Sequence, residues 1–320
     1  MRILVTGGAG YIGSHIVRAL EAAGHEPIAL DDLSFGVSKR LGSVELVSFD
    51  LASPSAKASL IELFRSKNIE GVIHLAARKA VAESVARPEY YFQQNLDSVL
   101  NLLEAMKETN VLNLVFSSSA AVYGSPDVSL VAEDYLCQPI NPYGQTKLIG
   151  EWMIANAEKA WGLKAVALRY FNVAGAGFDD LGDTSVANLI PIALKAIKEA
   201  KAIQVFGSDW PTRDGSCVRD YIHVADLADA HLAALNFLGT ANREHLVFNV
   251  GTGSGSTVLE VIQALREVIG TDFKVDLVDR RPGDPAELAA DVSRIKNTLN
   301  WQAKRNLHEI VESAYRASLN

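Results

Sequence analysis

The chain has 320 residues, 48% hydrophobic and 21% charged, with a formal net charge of −8. That balance describes a soluble globular protein long enough for a large core and two domains. The negative charge and the lack of a basic run make nucleic acid a poor partner, and no stretch approaches the ~18 apolar residues of a membrane span.

The N-terminus, Met1-Arg-Ile-Leu-Val-Thr-Gly7, enters structure at once and does not read as a signal peptide. Arg2 to Thr6 is a short run rich in branched residues, as expected of a buried parallel strand. Gly7-Gly-Ala-Gly-Tyr-Ile-Gly13 follows, then a helical pattern from His15 to Ala23. Glycines between strand and helix make the turn, admit a pyrophosphate close to backbone and let helix and strand pack. The helix start offers free N–H groups to the anion. A second strand, Pro27 to Leu30, ends in Asp31-Asp32, where a carboxylate about 20 residues past the glycines hydrogen-bonds a ribose and repels an added phosphate. Asp31 carries that reading; Asp32 could equally cap the next turn.

Val44 to Phe49 reads as a third strand ending in Asp50-Leu51, and Ser53-Pro54 opens a helix through Lys67. Gly71 to Ala77 is a fourth strand with small residues at its end. A long helix spans Tyr90 to Thr109. A fifth strand, Leu112 to Phe116, runs into Ser117-Ser-Ser-Ala-Ala-Val-Tyr-Gly124. Strands alternating with helices predict a parallel, doubly wound sheet of the α/β class, with ligands at the strand C-terminal ends.

Asn141-Pro-Tyr-Gly-Gln-Thr-Lys147 places a phenol and an ammonium four residues apart, just inside a helix running to about Ala160. Pro142 suits a first turn, and residues four apart share a face. A nearby cation lowers a phenol's pKa, so Tyr143 and Lys147 form a general acid/base candidate. A sixth strand covers Ala165 to Tyr170. Beyond Asn172 the pattern changes to a smaller domain, with helices over 187–200 and 258–269, strands over 203–206 and 274–278, and a closing helix over 307–319. His223 to Leu238 and Leu246 to Val250 read as a helix and a strand of the main sheet. The expected division is therefore 1–172 plus about 226–250 for the dinucleotide half and about 173–225 plus 251–320 for the substrate half. Cys137 and Cys217 have no metal or redox spacing and read as two unrelated thiols of a cytoplasmic protein.

These motifs together resemble the extended short-chain dehydrogenase/reductase superfamily. Finer strings resemble its UDP-glucose 4-epimerase family: Lys79-Ala-Val-x-Glu-Ser-Val85, Ser117-Ser-Ser-Ala-x-Val-Tyr-Gly124, Arg169-Tyr-Phe-Asn172, Val218-Arg-Asp-Tyr-Ile-His-Val224 and Arg280-Arg-x-Gly-Asp284. The resemblance implies tightly held NAD and 4-epimerisation of UDP-glucose and UDP-galactose, with Tyr143 as base, Lys147 tuning it and Ser119 on the sugar hydroxyl. It also implies a homodimer through the helices near 90–109 and 143–160.

The implied cofactor contacts run through the glycine turn (Gly7, Gly10, Tyr11, Ile12, Gly13) and the next strand ends (Asp31, Asp32, Asp50, Leu51). They continue through Leu75, Ala76 and Ala77 to Lys79, Asn95, Ser117 and Tyr170. The implied sugar contacts are Lys79, Ser119, Ala120, Phe171 and Asn172. In the second half Asn188, Leu189, Val205, Phe206, Arg219, Tyr221, Val258, Arg281 and Asp284 would take the nucleotide. Arginine pairs phosphate oxygens, Phe206 suits stacking on uracil and Asp284 suits ribose hydroxyls.

Related dehydratases and decarboxylases carry an acid just after the serine; here Ala120 and Ala121 stand there, which argues for simple epimerisation. The position that gates the pocket for the sugar's 2-substituent falls at Leu288, intermediate in size. The competing readings are a 4-epimerase of another UDP sugar, a net-redox reductase and a non-catalytic NAD-binding regulator.

Overall fold

The computed structural model describes residues 1–238, 246–281 and 284–320; Pro282 and Gly283, within one of the family strings, lie outside the described residues. A seven-stranded sheet runs in the order Leu246–Val250, Lys164–Tyr170, Asn113–Ser119, Gly71–His74, Arg2–Thr6, Glu26–Leu30, Leu46–Val47. Pairing is parallel from Leu46–Val47 across to Asn113–Ser119. The chain winds outward from Arg2–Thr6 to one edge, then returns to build the other side. This is the doubly wound α/β sheet expected from the sequence, and its switch point lies between Arg2–Thr6 and Gly71–His74.

Ile3, Leu4 and Val5 are fully buried, which explains the continuous apolar run of the first strand. On one face Leu4, Leu30, Val72, Leu114 and Phe116 pack against Leu60 and Phe64 of the helix Ala56–Lys67, Leu102 and Met106 of Pro88–Thr109, and Ile154 of Pro142–Trp161. Each such side chain contributes about 1.5–3 kcal/mol on burial. The helix Tyr11–Ala22 buries Ile16, Val17 and Leu20.

Boundaries differ from expectation where pairing, not pattern, decides them. The third strand is only Leu46–Val47, and the fourth stops at His74, whereas the fifth continues to Ser119. The first helix begins at Tyr11, directly after Gly10.

The chain divides into two compact units: residues 1–124, 137–169 and 228–248, and residues 125–136, 170–227 and 249–320. Residues 125–136 therefore join the second unit, unlike in the expected division. The reason is that Leu130–Val131 pairs with Glu287–Ala290 in a four-stranded sheet completed by Val218–Arg219 and Ser256–Thr257. The second unit has its own core, in which Ile190, Ile203, Val205, Ile262, Leu265 and Ile310 are at most 1% exposed. Its central knot is Asp220, whose carboxylate accepts from the Thr252 amide and hydroxyl and the Gly253 and Ala290 amides.

Candidate active site

Gly7 closes the first strand with a left-handed φ of +69°, a conformation that disfavours any residue with a Cβ. A Cβ at Gly13 would stand 2.1 Å from the Gly7 carbonyl oxygen, so the helix can approach the turn only without one. At Gly10, by contrast, a Cβ would meet only that same oxygen, at 3.2 Å. Gly10 is the N-cap of Tyr11–Ala22 and makes no side-chain cap bond. The turn thus offers helix N–H groups beside open space, a cradle that fits a dinucleotide pyrophosphate. Tyr11 is buried against His15, and Ile12 is half-buried.

Asp31 is 7% exposed. It accepts from the Ala9 amide of the glycine turn at 3.0 Å and from the Leu33 amide at 2.9 Å. Burial raises its pKa and these amide bonds lower it, with a net rise. Asp32 is already engaged. It holds the Arg78 guanidinium at 2.8 Å and the Ser34 amide at 2.9 Å. Asp50 accepts from Ala52, and Leu51 is buried in the core. Leu75, Ala76 and Ala77 are half-buried at the fourth strand's end, where Leu75 and Ala76 hydrogen-bond Thr6. Lys79 is exposed.

Asn95, an implied cofactor contact, is buried and bonded to its neighbours. Its amide oxygen accepts from the Arg78 backbone at 2.8 Å, and its nitrogen donates to the Arg78 carbonyl at 3.0 Å and to Thr146 at 2.9 Å. It fixes backbone.

The helix Pro142–Trp161 starts as its sequence dictates. Asn141 caps it by accepting from Gly144 at 2.9 Å, and Pro142 occupies the first turn. Tyr143 and Lys147 share its inner face and are 9% and 4% exposed. Tyr143 lies beside the Ser119 hydroxyl, which works to lower its pKa and accepts from the Ala121 amide at 3.2 Å. Lys147 donates to the Ser117 carbonyl at 2.8 Å and lies over the Phe116 ring. Ser117 hydrogen-bonds His231, and Ala120 is buried in the turn that follows.

Burial pushes the Tyr143 phenol up, and the Ser119 hydroxyl only partly offsets it. The expected lowering by Lys147 alone is therefore corrected: desolvation wins. Burial pulls Lys147 down to about 8, with Glu151 opposing it. A phenol beside a serine hydroxyl and backed by a buried ammonium can exchange a proton with a bound hydroxyl.

In the second unit, Arg219 donates to the Val218 and Pro285 carbonyls and stands 3.6 Å from Asp284. Arg281 is exposed, its guanidinium 4.3 Å from the centre of the Phe206 ring. One face of that ring is thus covered by a cation, where the sequence suggested a surface for a base alone. Val205 is 1% exposed and belongs to the core, which leaves only its backbone for a ligand. Asn188 caps Leu189–Lys198 without a side-chain bond, and Leu189 and Val258 border the core. Tyr221 is buried and its strand pairs with Asn172. Phe171 is buried, Tyr170 half-buried, and half-buried Leu288 lies in register with Arg219.

Residues 3–251 match the model of the NAD dependent epimerase/dehydratase family. The chain belongs to this family. Among family relatives, the UDP-glucose 4-epimerase of Azospirillum brasilense is 44% identical over 98% of this chain and 90% of its own length. The structure of UDP-glucose 4-epimerase from Brucella ovis in complex with NAD superposes with a TM-score of 0.94 at 39% identity, covering 98% of this chain and 97% of that one. The UDP-Glc/GlcNAc 4-epimerase of Campylobacter jejuni gives 0.88 at 39% identity, covering 100% of this chain and 99% of that one.

Sequence reasoning missed Arg78 and Glu151, and took Arg169 only as the first residue of a family string. Glu151 and Arg169 form a buried ion pair at 2.6 Å. A lone arginine or glutamate gives no signal in one sequence; Glu151 could have been noticed one turn beyond Lys147 on the same helix face.

Proposed function

We propose that the chain interconverts UDP-glucose and UDP-galactose with bound NAD, through a 4-keto sugar formed at the Ser119–Tyr143 pair. The observation that carries this reading is the burial of Tyr143 and Lys147 on one helix face, with Lys147 held by the Ser117 carbonyl and the Ser119 hydroxyl beside the phenol. A sugar C4–H is not acidic, so a direct deprotonation has no driving force. When bound, NAD supplies the hydride acceptor at C4 and, in its oxidised form, a positive charge. That charge joins Lys147 in favouring the phenolate against burial.

Tyr143 takes the proton of the C4 hydroxyl as the hydride leaves, and Ser119 holds that oxygen. After the ketone turns over, C4 would be reduced from its other face while Tyr143 returns the proton to the oxygen that Ser119 holds. There is no net redox change. Gly10, Gly13 and Asp31 bind the dinucleotide, and Arg219, Asp284 and Phe206 of the second unit receive the nucleotide of the substrate. The open flank of Gly10 and the loose Arg219–Asp284 pair support those assignments.

The enzyme works in galactose metabolism in the cytoplasm, in line with two cysteines that form no disulfide. It pairs as a homodimer through the helices Pro88–Thr109 and Pro142–Trp161. Leu100 and Trp152, 47% and 58% exposed, support that surface. An alternative substrate pair carries a 2-acetamido group; half-buried Leu288 is smaller than an aromatic gate.

Incubating the purified protein with UDP-galactose, without added NAD, tests the reading. UDP-glucose is the expected product. No product even with NAD supplied would overturn it, and turnover confined to UDP-N-acetylgalactosamine would favour the alternative.

A further inference from the structure

Arg78 was not among the residues that sequence singled out, yet it gathers several partners from other segments. Its guanidinium donates to Asp32 at 2.8 Å, to Gln94 at 3.0 Å and to the Ser34 hydroxyl. It lies 5.6 Å from the centre of the Phe35 ring and 5.8 Å from that of Tyr90. Asn95 holds its backbone at both the amide and the carbonyl. The side chains of Arg78 and Asp32 are 14% and 26% exposed.

Topology gives this cluster its meaning. Asp32, Ser34 and Phe35 follow the strand Glu26–Leu30, and Arg78 follows Gly71–His74. Those strands do not touch; each pairs with Arg2–Thr6, which carries the glycine turn between them. The two segments therefore start two strand spacings apart, roughly 9.5 Å. The Arg78–Asp32 pair closes that gap at the C-terminal edge, on the side of the sheet where a dinucleotide lies.

We propose that Arg78 is a cofactor-retaining residue: its ion pair with Asp32 latches the segments on either side of the glycine turn over the bound NAD, and release of the dinucleotide requires the latch to open. The inference rests on the reading that this unit binds NAD. It also accounts for Asp32, whose carboxylate would otherwise crowd a second negative charge beside Asp31. Exposed Phe35, 80% accessible, packs its ring toward the same guanidinium.

The test is a dissociation rate. Protein loaded with radiolabelled NAD is diluted into excess unlabelled NAD, and retained label is followed by rapid filtration. A charge-assisted hydrogen bond of this kind slows release about 10- to 100-fold, so Arg78→Ala and Asp32→Asn should each release NAD that much faster. The double variant should release it no faster than the quicker single one. Arg78→Lys keeps the charge but loses the fork, and should fall between parent and Arg78→Ala. Single variants that exchange within about twofold of the parent overturn the latch, as does a double variant whose acceleration is the product of the two. A parent that holds no NAD overturns the functional reading and the latch together; a parent that holds it, with variants that hold it as long, overturns the latch alone.

Discussion

Replacing Glu151 with glutamine tests how the catalytic helix is anchored. Glu151 and Arg169 are 2% and 5% exposed. Arg169 donates to both carboxylate oxygens, at 2.9 and 2.6 Å, and to the Tyr123 hydroxyl at 3.0 Å. Ser118 donates to the same carboxylate at 2.5 Å. Glutamine keeps the shape and removes the charge, which leaves a guanidinium buried without its counter-ion. Breaking a buried pair from one side costs about 3–5 kcal/mol. At roughly 2 °C per kcal/mol, a chain of this size should melt about 6–10 °C lower. Calorimetry of the purified variant reads this directly. Replacing both partners, Glu151→Leu with Arg169→Met, removes the orphan charge and should recover most of the loss. A fall below 2 °C, or a double variant no better than the single one, would refute the reasoning. The single variant also removes the charge that opposes burial at Lys147, so its ammonium should lose its proton at lower pH than in the parent.

Three further outcomes are expected. Tyr143→Phe should fold and retain NAD but lose at least 100-fold in kcat, in line with general acid/base catalysis; normal turnover would remove Tyr143 from the mechanism. Gly13→Ala sets a Cβ 2.1 Å from the Gly7 carbonyl, a clash with backbone that costs about 1–3 kcal/mol, and NAD retained after gel filtration should fall with it. His74 is buried, hydrogen-bonded to Thr6 at 2.8 Å, and burial lowers it from 6.5 to about 3. The unfolded chain therefore binds the extra proton between these values. His74's contribution is intact above pH 6.5 and declines as pH falls toward 3, by about 2 kcal/mol at pH 5. Urea unfolding of His74→Gln at pH 7 and pH 5 should show a smaller acid loss than the parent; equal losses would contradict the assignment.

Much of this molecule is legible in one dimension. The first strand and its glycine turn follow from branched residues and from the φ that only glycine adopts easily. The start of the tyrosine helix follows from Asn141 and Pro142. What stays hidden depends on partners distant in sequence. Leu130–Val131 and Val218–Arg219 are strands only because something pairs with them. Asp32 stayed open between ribose contact and turn cap because its partner, Arg78, lies 46 positions away. No pattern reveals that the Asn95 amide also holds the Arg78 backbone. Tyr143's pKa was misjudged because the sequence shows the cation but not the burial.

The serines at the end of the fifth strand have one more consequence. Ser119 meets Tyr143, the carbonyl of Ser117 meets Lys147, and Ser118 meets Glu151. Three successive residues of one strand thus face positions one, five and nine of a single helical stripe. Side chains at these positions can be exchanged one at a time, each at its own cost. Inserting or deleting a residue within 117–119 or 143–151 would part at least one of these contacts from the others. The loop between the strand and the helix can change in length, while the two facing segments cannot.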